Sequence, residues 1–145
     1  MKTKQLISLL SVQIQDDERT ESELFTPAEI TYNKNCVTIA YEDTEATGFE
    51  GSVTSVKVIC NNEASVTRTG TSNSILLLET GKKSYCQYST PFGMFQIGVY
   101  THTIKNTLDE DGRLYMKYTL DLNASKLSDN EITITIQNTN QKGQV

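Results

Sequence analysis

Leu114-Tyr115-Met116-Lys117-Tyr118-Thr119-Leu120-Asp121-Leu122-Asn123 is the stretch that decides the fold. Leu114, Met116, Tyr118, Leu120 and Leu122 take alternate positions, with Tyr115, Lys117, Thr119, Asp121 and Asn123 between them. Side chains two apart share one face of an extended chain, so this strand has a dry face and a wet face. Downstream, Ile132, Ile134 and Ile136 against Thr133, Thr135 and Gln137 repeat the rhythm. Upstream, so do Val37, Ile39 and Tyr41 against Thr38, Ala40 and Glu42. By the same rule Leu6, Leu10, Val12 and Ile14 form the dry face of the first strand. Ile75 to Leu78 is apolar throughout, as expected of a strand covered on both faces or one whose outer face meets another element.

Turn chemistry interrupts these runs about every ten residues. The breaks are Asp16-Asp17, Asn33 to Asn35, Thr44 to Gly48, Asn61-Asn62, Gly70 to Asn73, Gly81-Lys82, Pro91 to Gly93, Asp109 to Gly112 and Ser128 to Asn130. Nine breaks imply about ten strands. Asn61-Asn62 suits the positive backbone angles of a tight hairpin, and Asp111-Gly112 closes a slightly longer one. Pro27 cannot donate to a ladder, which predicts a bulge or bend there. No segment keeps an apolar face at helical spacing. Ten antiparallel strands must hide their edges, and closing the sheet on itself does so. The expected architecture is therefore all-β, a single antiparallel meandering barrel over residues 1–145 with a fraying tail from about 139; a two-sheet β-sandwich is the alternative.

Composition narrows the partners. The chain has 145 residues, thirteen Lys+Arg against eighteen Asp+Glu, and a formal charge of -5. No basic field exists to attract nucleic acid or anionic lipid, so neither nucleic acid nor membrane is expected as a partner. The N-terminal Met1 to Val12 lacks a small-residue cleavage site and reads as strand rather than as a secretion signal. Cys36, Cys60 and Cys86 are odd in number and widely spaced, which suits reduced thiols and a cytoplasmic location.

The ordered series Arg68-x-Gly70, Gly81, Tyr88-Ser89-Thr90-Pro91-Phe92-Gly93, Thr101-x-Thr103-Ile104, Gly112-Arg113-Leu114 and Tyr118-x-Leu120 resembles the DUF1934, or YwiB-like, bacterial proteins. The resemblance covers most of the chain, with Thr-Pro-Phe-Gly its most specific part. It implies an uncharacterised cytoplasmic barrel of the calycin, or lipocalin-like, class, with no catalytic residues to carry over. The chain has no Trp and so lacks the Gly-x-Trp signature of lipocalins.

Arg68 alternates with Ala64 and Val66, which turns it toward the interior. An enclosed guanidinium needs a carboxylate, carbonyls or an anionic ligand. Two readings stand: a structural pair with Glu42, Glu50 or Glu79, or an anchor for a carboxylate or phosphate headgroup. Tyr88, Phe92 and Tyr100 are the candidate aromatic rim of a binding site, although Pro91-Phe92-Gly93 also serves as a rigid corner. His102, the single imidazole, falls on the wetter face, opposite Phe95, Ile97 and Val99. No metal or cofactor is expected, because one His and scattered thiols give no ligand spacing. Small residues expected inside, Ser8, Ala28, Ala64 and Gly98, would leave room for a ligand. No constellation specifies a reaction. The expectation is a non-enzymatic barrel binding a small apolar or amphiphilic anionic molecule. The alternative is a protein-interaction or structural module, with a protein partner or second copy docked on an outer face near Tyr115, Ile59 and Leu76 or Leu78.

Overall fold

The alternation is realised as ten antiparallel strands. They are β1 (Lys2–Gln15), β2 (Glu18–Asn33), β3 (Cys36–Glu42), β4 (Ser52–Ile59), β5 (Glu63–Gly70), β6 (Ser74–Glu79), β7 (Lys83–Thr90), β8 (Gly93–Thr107), β9 (Arg113–Leu122) and β10 (Ser125–Gln137). The computed structural model describes residues 2–45, 49–71, 73–90 and 93–137, with 88–90 by backbone alone. Each strand lies beside its neighbours in sequence, and β1 pairs with β10 to close the barrel. A meander therefore replaces the sandwich alternative.

The connections after β1, β3, β5, β7 and β9 gather at one end, the mouth; the others form the floor. Toward the floor, Ile7, Ile30, Ile39, Val58, Leu78 and Leu114 are 0–2% exposed. Each such side chain contributes about 1.5–3 kcal/mol through burial. Asp16 and Asp17 both have positive φ (52° and 66°), as do Asn123 and Ala124 (52° and 66°). Two such residues in a row make a hairpin connection whose twist matches that of the strands.

Several expectations require correction. The final turn is Asn123-Ala124, while Ser128 to Asn130 lie inside β10. Ser128 and Asn130 imitate turn composition but are buried, and Asn130 Nδ2 donates to Ser128 Oγ at 3.0 Å. Between β4 and β5 it is Cys60, with φ 54°, that takes the left-handed conformation rather than either Asn. Pro27 continues the β1–β2 ladder opposite Leu6 without a register shift. The β2–β3 ladder starts only at Glu29, so proline stands where one edge of β2 has no strand beside it.

The face of β1 is also reversed. Ile7, Leu9 and Ser11 lie opposite Ile136, Ile134 and Ile132, which point inward. By register Leu6, Leu10, Val12 and Ile14 therefore lie on the outer face, where Leu6 and Ile14 are 39% and 37% exposed, although Val12 is buried there as expected. Apolar residues occupy both parities of β1, so only pairing with the isoleucines of β10 decides which face is dry. β6 splits similarly: Leu76 and Leu78 go inside, and Ile75 and Leu77 stay exposed outside.

Candidate functional site

Toward the mouth the inward positions change from Ile and Leu to Ser11, Gln13, Ser22, Ser74 and Ser128, and the barrel is no longer filled. A cavity of about 550 Å³ results. That volume lies within the range of about 300–1,000 Å³ usual for small-molecule sites. Its walls include Leu9, Val66, Leu76, Ile97 and Ile132, and its rim Gln13, Gln15, Ser22 and Glu23.

Arg68 enters this cavity from β5, as its alternation with Ala64 and Val66 requires. Its partner is Asp43, which is fully buried, rather than Glu42, Glu50 or Glu79. Arg68 Nε donates to Thr54 Oγ1 at 3.1 Å and lies 3.4 Å from Asp43 Oδ2, while Thr54 Oγ1 donates to the same oxygen at 2.6 Å. The guanidinium carbon sits 3.7 Å from the centre of the Phe49 ring. These contacts fix the Nε edge and one face of the guanidinium. Among the described residues no hydrogen bond engages either Nη, and the side chain keeps 18% of its surface exposed. A fork of donors is thus held in place and left available to an anion.

Tyr41 and Tyr118 line the same cavity. Burial pushes the Tyr118 phenol up to about 12, against a smaller opposing pull from Arg68. Burial, then the charge of Asp43, raises Tyr41 as well. Both phenols stay protonated at neutral pH and can donate hydrogen bonds.

Of the four residues expected to bind ligand, the structure brings Arg68 to the cavity. Tyr100 is on the outer wall, with its ring edge-on to His102 at 4.9 Å, because it pairs with outward Lys83 and Thr119. The side chain of Tyr88, and Phe92 with the tail from about 139, lie outside the described residues. Asp43, Thr54, Tyr41 and Tyr118 belong to the site without having been singled out. The signal for Asp43 was present, since extending Val37, Ile39 and Tyr41 by two positions reaches it. Ala28 and Ala64 face the interior as expected, but Ser8 and Gly98 face outward. A Cβ on Gly98 would come within 2.6 Å of Asp121 Oδ1 and 2.8 Å of Lys83 Cε, the ion pair that crosses outside it. On the outer wall Tyr115 is half-buried and donates to Glu131 at 2.8 Å, and Ile59 is exposed; Leu76 and Leu78 are not outward at all.

His102 is exposed at a β-bulge in β8. Its Nε2 lies 2.7 Å from Thr119 Oγ1, which donates to Asp129 at 2.6 Å. Because the threonine gives its proton to the acid, it accepts from the imidazole and is not activated as a nucleophile. Among the described residues no three His, Cys, Asp or Glu side chains converge as metal ligands.

Residues 7–134 match a family described as a domain of unknown function, DUF1934. The chain is also similar to the crystal structure of the ywiB protein from Bacillus subtilis, with a TM-score of 0.73, 22% identity, and 94% of this chain and 93% of that one covered. At that identity the likeness concerns the fold. No curated protein matches the chain.

Proposed function

Because the chain belongs to the DUF1934 family, whose description carries no activity, we propose its function from the cavity itself: it binds a small amphiphile with an anionic end. The observation that carries this reading is the fork of Arg68, anchored through Nε and, among the described residues, open at both Nη beside a cavity of about 550 Å³ with apolar walls. The anion is a carboxylate or phosphate accepting from the Nη atoms, and the apolar body rests on Leu9, Val66, Ile97 and Ile132. Tyr41 and Tyr118 offer further donors to the polar end. The protein acts as a non-enzymatic binding module. A cytoplasmic setting is supported by three cysteines that form no disulfide. No described helix is long and apolar enough to cross a membrane.

Titration with cis-parinaric acid, a fluorescent straight-chain carboxylate, tests the reading. Displacement by dodecanoate should weaken about 10- to 100-fold in Arg68→Ala, the range expected for a charged hydrogen-bonded contact, while displacement by dodecanol changes little. Equal losses for acid and alcohol would show that Arg68 does not hold the charge.

A second reading, docking of a protein partner or a second copy on the outer wall, draws on Phe25 at 58% exposure near exposed Leu6. Sedimentation across concentration separates it: self-association that Phe25→Asp abolishes would favour this reading.

A further inference from the structure

The wall of the barrel is not equally sealed all round. β6 and β7 are joined at the floor by the turn in which Lys82 N donates to Glu79 O at 3.0 Å. Toward the mouth they are joined by the pair Ser74↔Tyr88, the one pair in their described ladder. By contrast β4 and β5 are paired continuously from Ser52↔Gly70 to Ile59↔Glu63. Counting from Ser74↔Tyr88, Leu76 falls opposite Cys86 and Leu77 opposite Tyr85. The two strands are therefore in phase, but no ladder pair is described between the two pins, and that unladdered stretch is the candidate slot in the wall.

The side chains about the slot fit a passage. Leu76 and Cys86, on the inner side, line the cavity. On the outer side Ile75, Leu77 and Tyr85 are 47%, 46% and 61% exposed. An apolar track thus runs from the outer surface through the slot to the cavity wall. Arg68 pairs with Ser74, so the charged fork stands immediately beyond the upper pin.

We propose, resting on the binding reading above, that the ligand is a single-chain amphiphile admitted sideways through the β6–β7 slot, with its anionic head at Arg68 and its chain passing Leu76 and Cys86. A slot between two strands with a row of apolar lips suits one extended chain and excludes a branched or double-chain molecule. A backbone edge lacking ladder partners would ordinarily be wetted or capped, and here it is bordered by exposed hydrophobes instead.

Stopped-flow measurement of cis-parinaric acid binding tests this. In Leu77→Asp, at an exposed position, both association and dissociation should slow by about tenfold or more while Kd stays within about twofold, the signature of an altered passage and not an altered site. Phe25→Asp, on the outer wall away from the slot, should leave both rates unchanged. Unchanged rates in Leu77→Asp with normal binding by the wild type would place entry at the mouth and overturn the proposal. Equal slowing in both variants would overturn it too. Absence of binding in the wild type would instead remove the underlying reading. Should Leu77→Asp not fold, wild-type hydrogen exchange decides. Facing amides of β6 and β7 exchanging about 100-fold faster than those of β4 support the slot, and equal protection overturns it.

Discussion

Replacing Arg68 by alanine should cost about 3 kcal/mol of folding stability. Three contacts disappear at once: the hydrogen bond to Thr54 at 3.1 Å, the approach to Asp43 at 3.4 Å and the stacking on Phe49 at 3.7 Å. The hydrogen bond and stacking together are worth roughly 2–3 kcal/mol. Removing one partner of a buried pair costs about 3–5 kcal/mol because the other charge is stranded. Asp43 is fully buried, but Thr54 continues to donate to it at 2.6 Å and Arg68 is 18% exposed, which pulls the value to the lower end. For a chain of this size about 3 kcal/mol corresponds to a fall of about 10 °C in Tm. Arg68→Lys keeps a positive charge but loses the Nε geometry, and should lose about half as much. The assay is urea unfolding of wild type, Arg68→Ala, Asp43→Asn and the double variant. Asp43→Asn should cost about 1–2 kcal/mol less in the Arg68→Ala background than alone. An Arg68→Ala effect below about 0.5 kcal/mol, with no coupling to Asp43, would refute the view that Asp43 and Thr54 hold the guanidinium in place.

Other outcomes follow from single features. Tyr118 is pushed up to about 12 in the folded protein against an ordinary 10.0, so its contribution is fully present below pH 10 and is lost as pH rises from there through about 12. Urea unfolding across pH 9 to 12 should register a fall in stability to which Tyr118 contributes at most about 3 kcal/mol, the part that Tyr118→Phe removes; Tyr115, also pushed up to about 12, and Tyr41, also raised, supply the remainder. Gly70→Ala places a Cβ 2.5 Å from the Gly51 carbonyl oxygen at φ +122° and should destabilise by about 2–4 kcal/mol. Gly81→Ala, with nothing within 4 Å, carries the backbone penalty alone, about 1 kcal/mol, and thermal melts compare the two. Thr101 is fully buried and its hydroxyl has no hydrogen-bond partner among the described residues, so Thr101→Val should be neutral or stabilise by up to about 1–2 kcal/mol in the same melts.

How much was legible depended on whether one parity alone was apolar. In β9 and β10 it was, and Leu114, Met116, Ile134 and Ile136 point inward as read. In β1 both Leu6 and Ile7, and both Leu9 and Leu10, could have been the dry pair, and the choice rests on a cross-strand register that no local pattern encodes. Closure of the meander followed from strand count and the need to hide edges. The single-pair β6–β7 ladder did not, because how far two in-phase strands pair is a property of the closed sheet. The inward turn of Arg68 was readable from Ala64 and Val66. Its partnership with Asp43 and Thr54 joins β5 to β4 and the loop after β3, and only the assembled barrel brings them together. Gly98 misled for a related reason: smallness suggested interior space, but the room it leaves is taken outside by Lys83 and Asp121.

Native mass spectrometry of the protein taken from its own cells bears most directly on the central claim. The expected spectrum has added mass from one single-chain anionic amphiphile per chain, lost on organic extraction and diminished in Arg68→Ala. A folded wild-type protein that carries no such mass, and takes none up when offered dodecanoate, would contradict it.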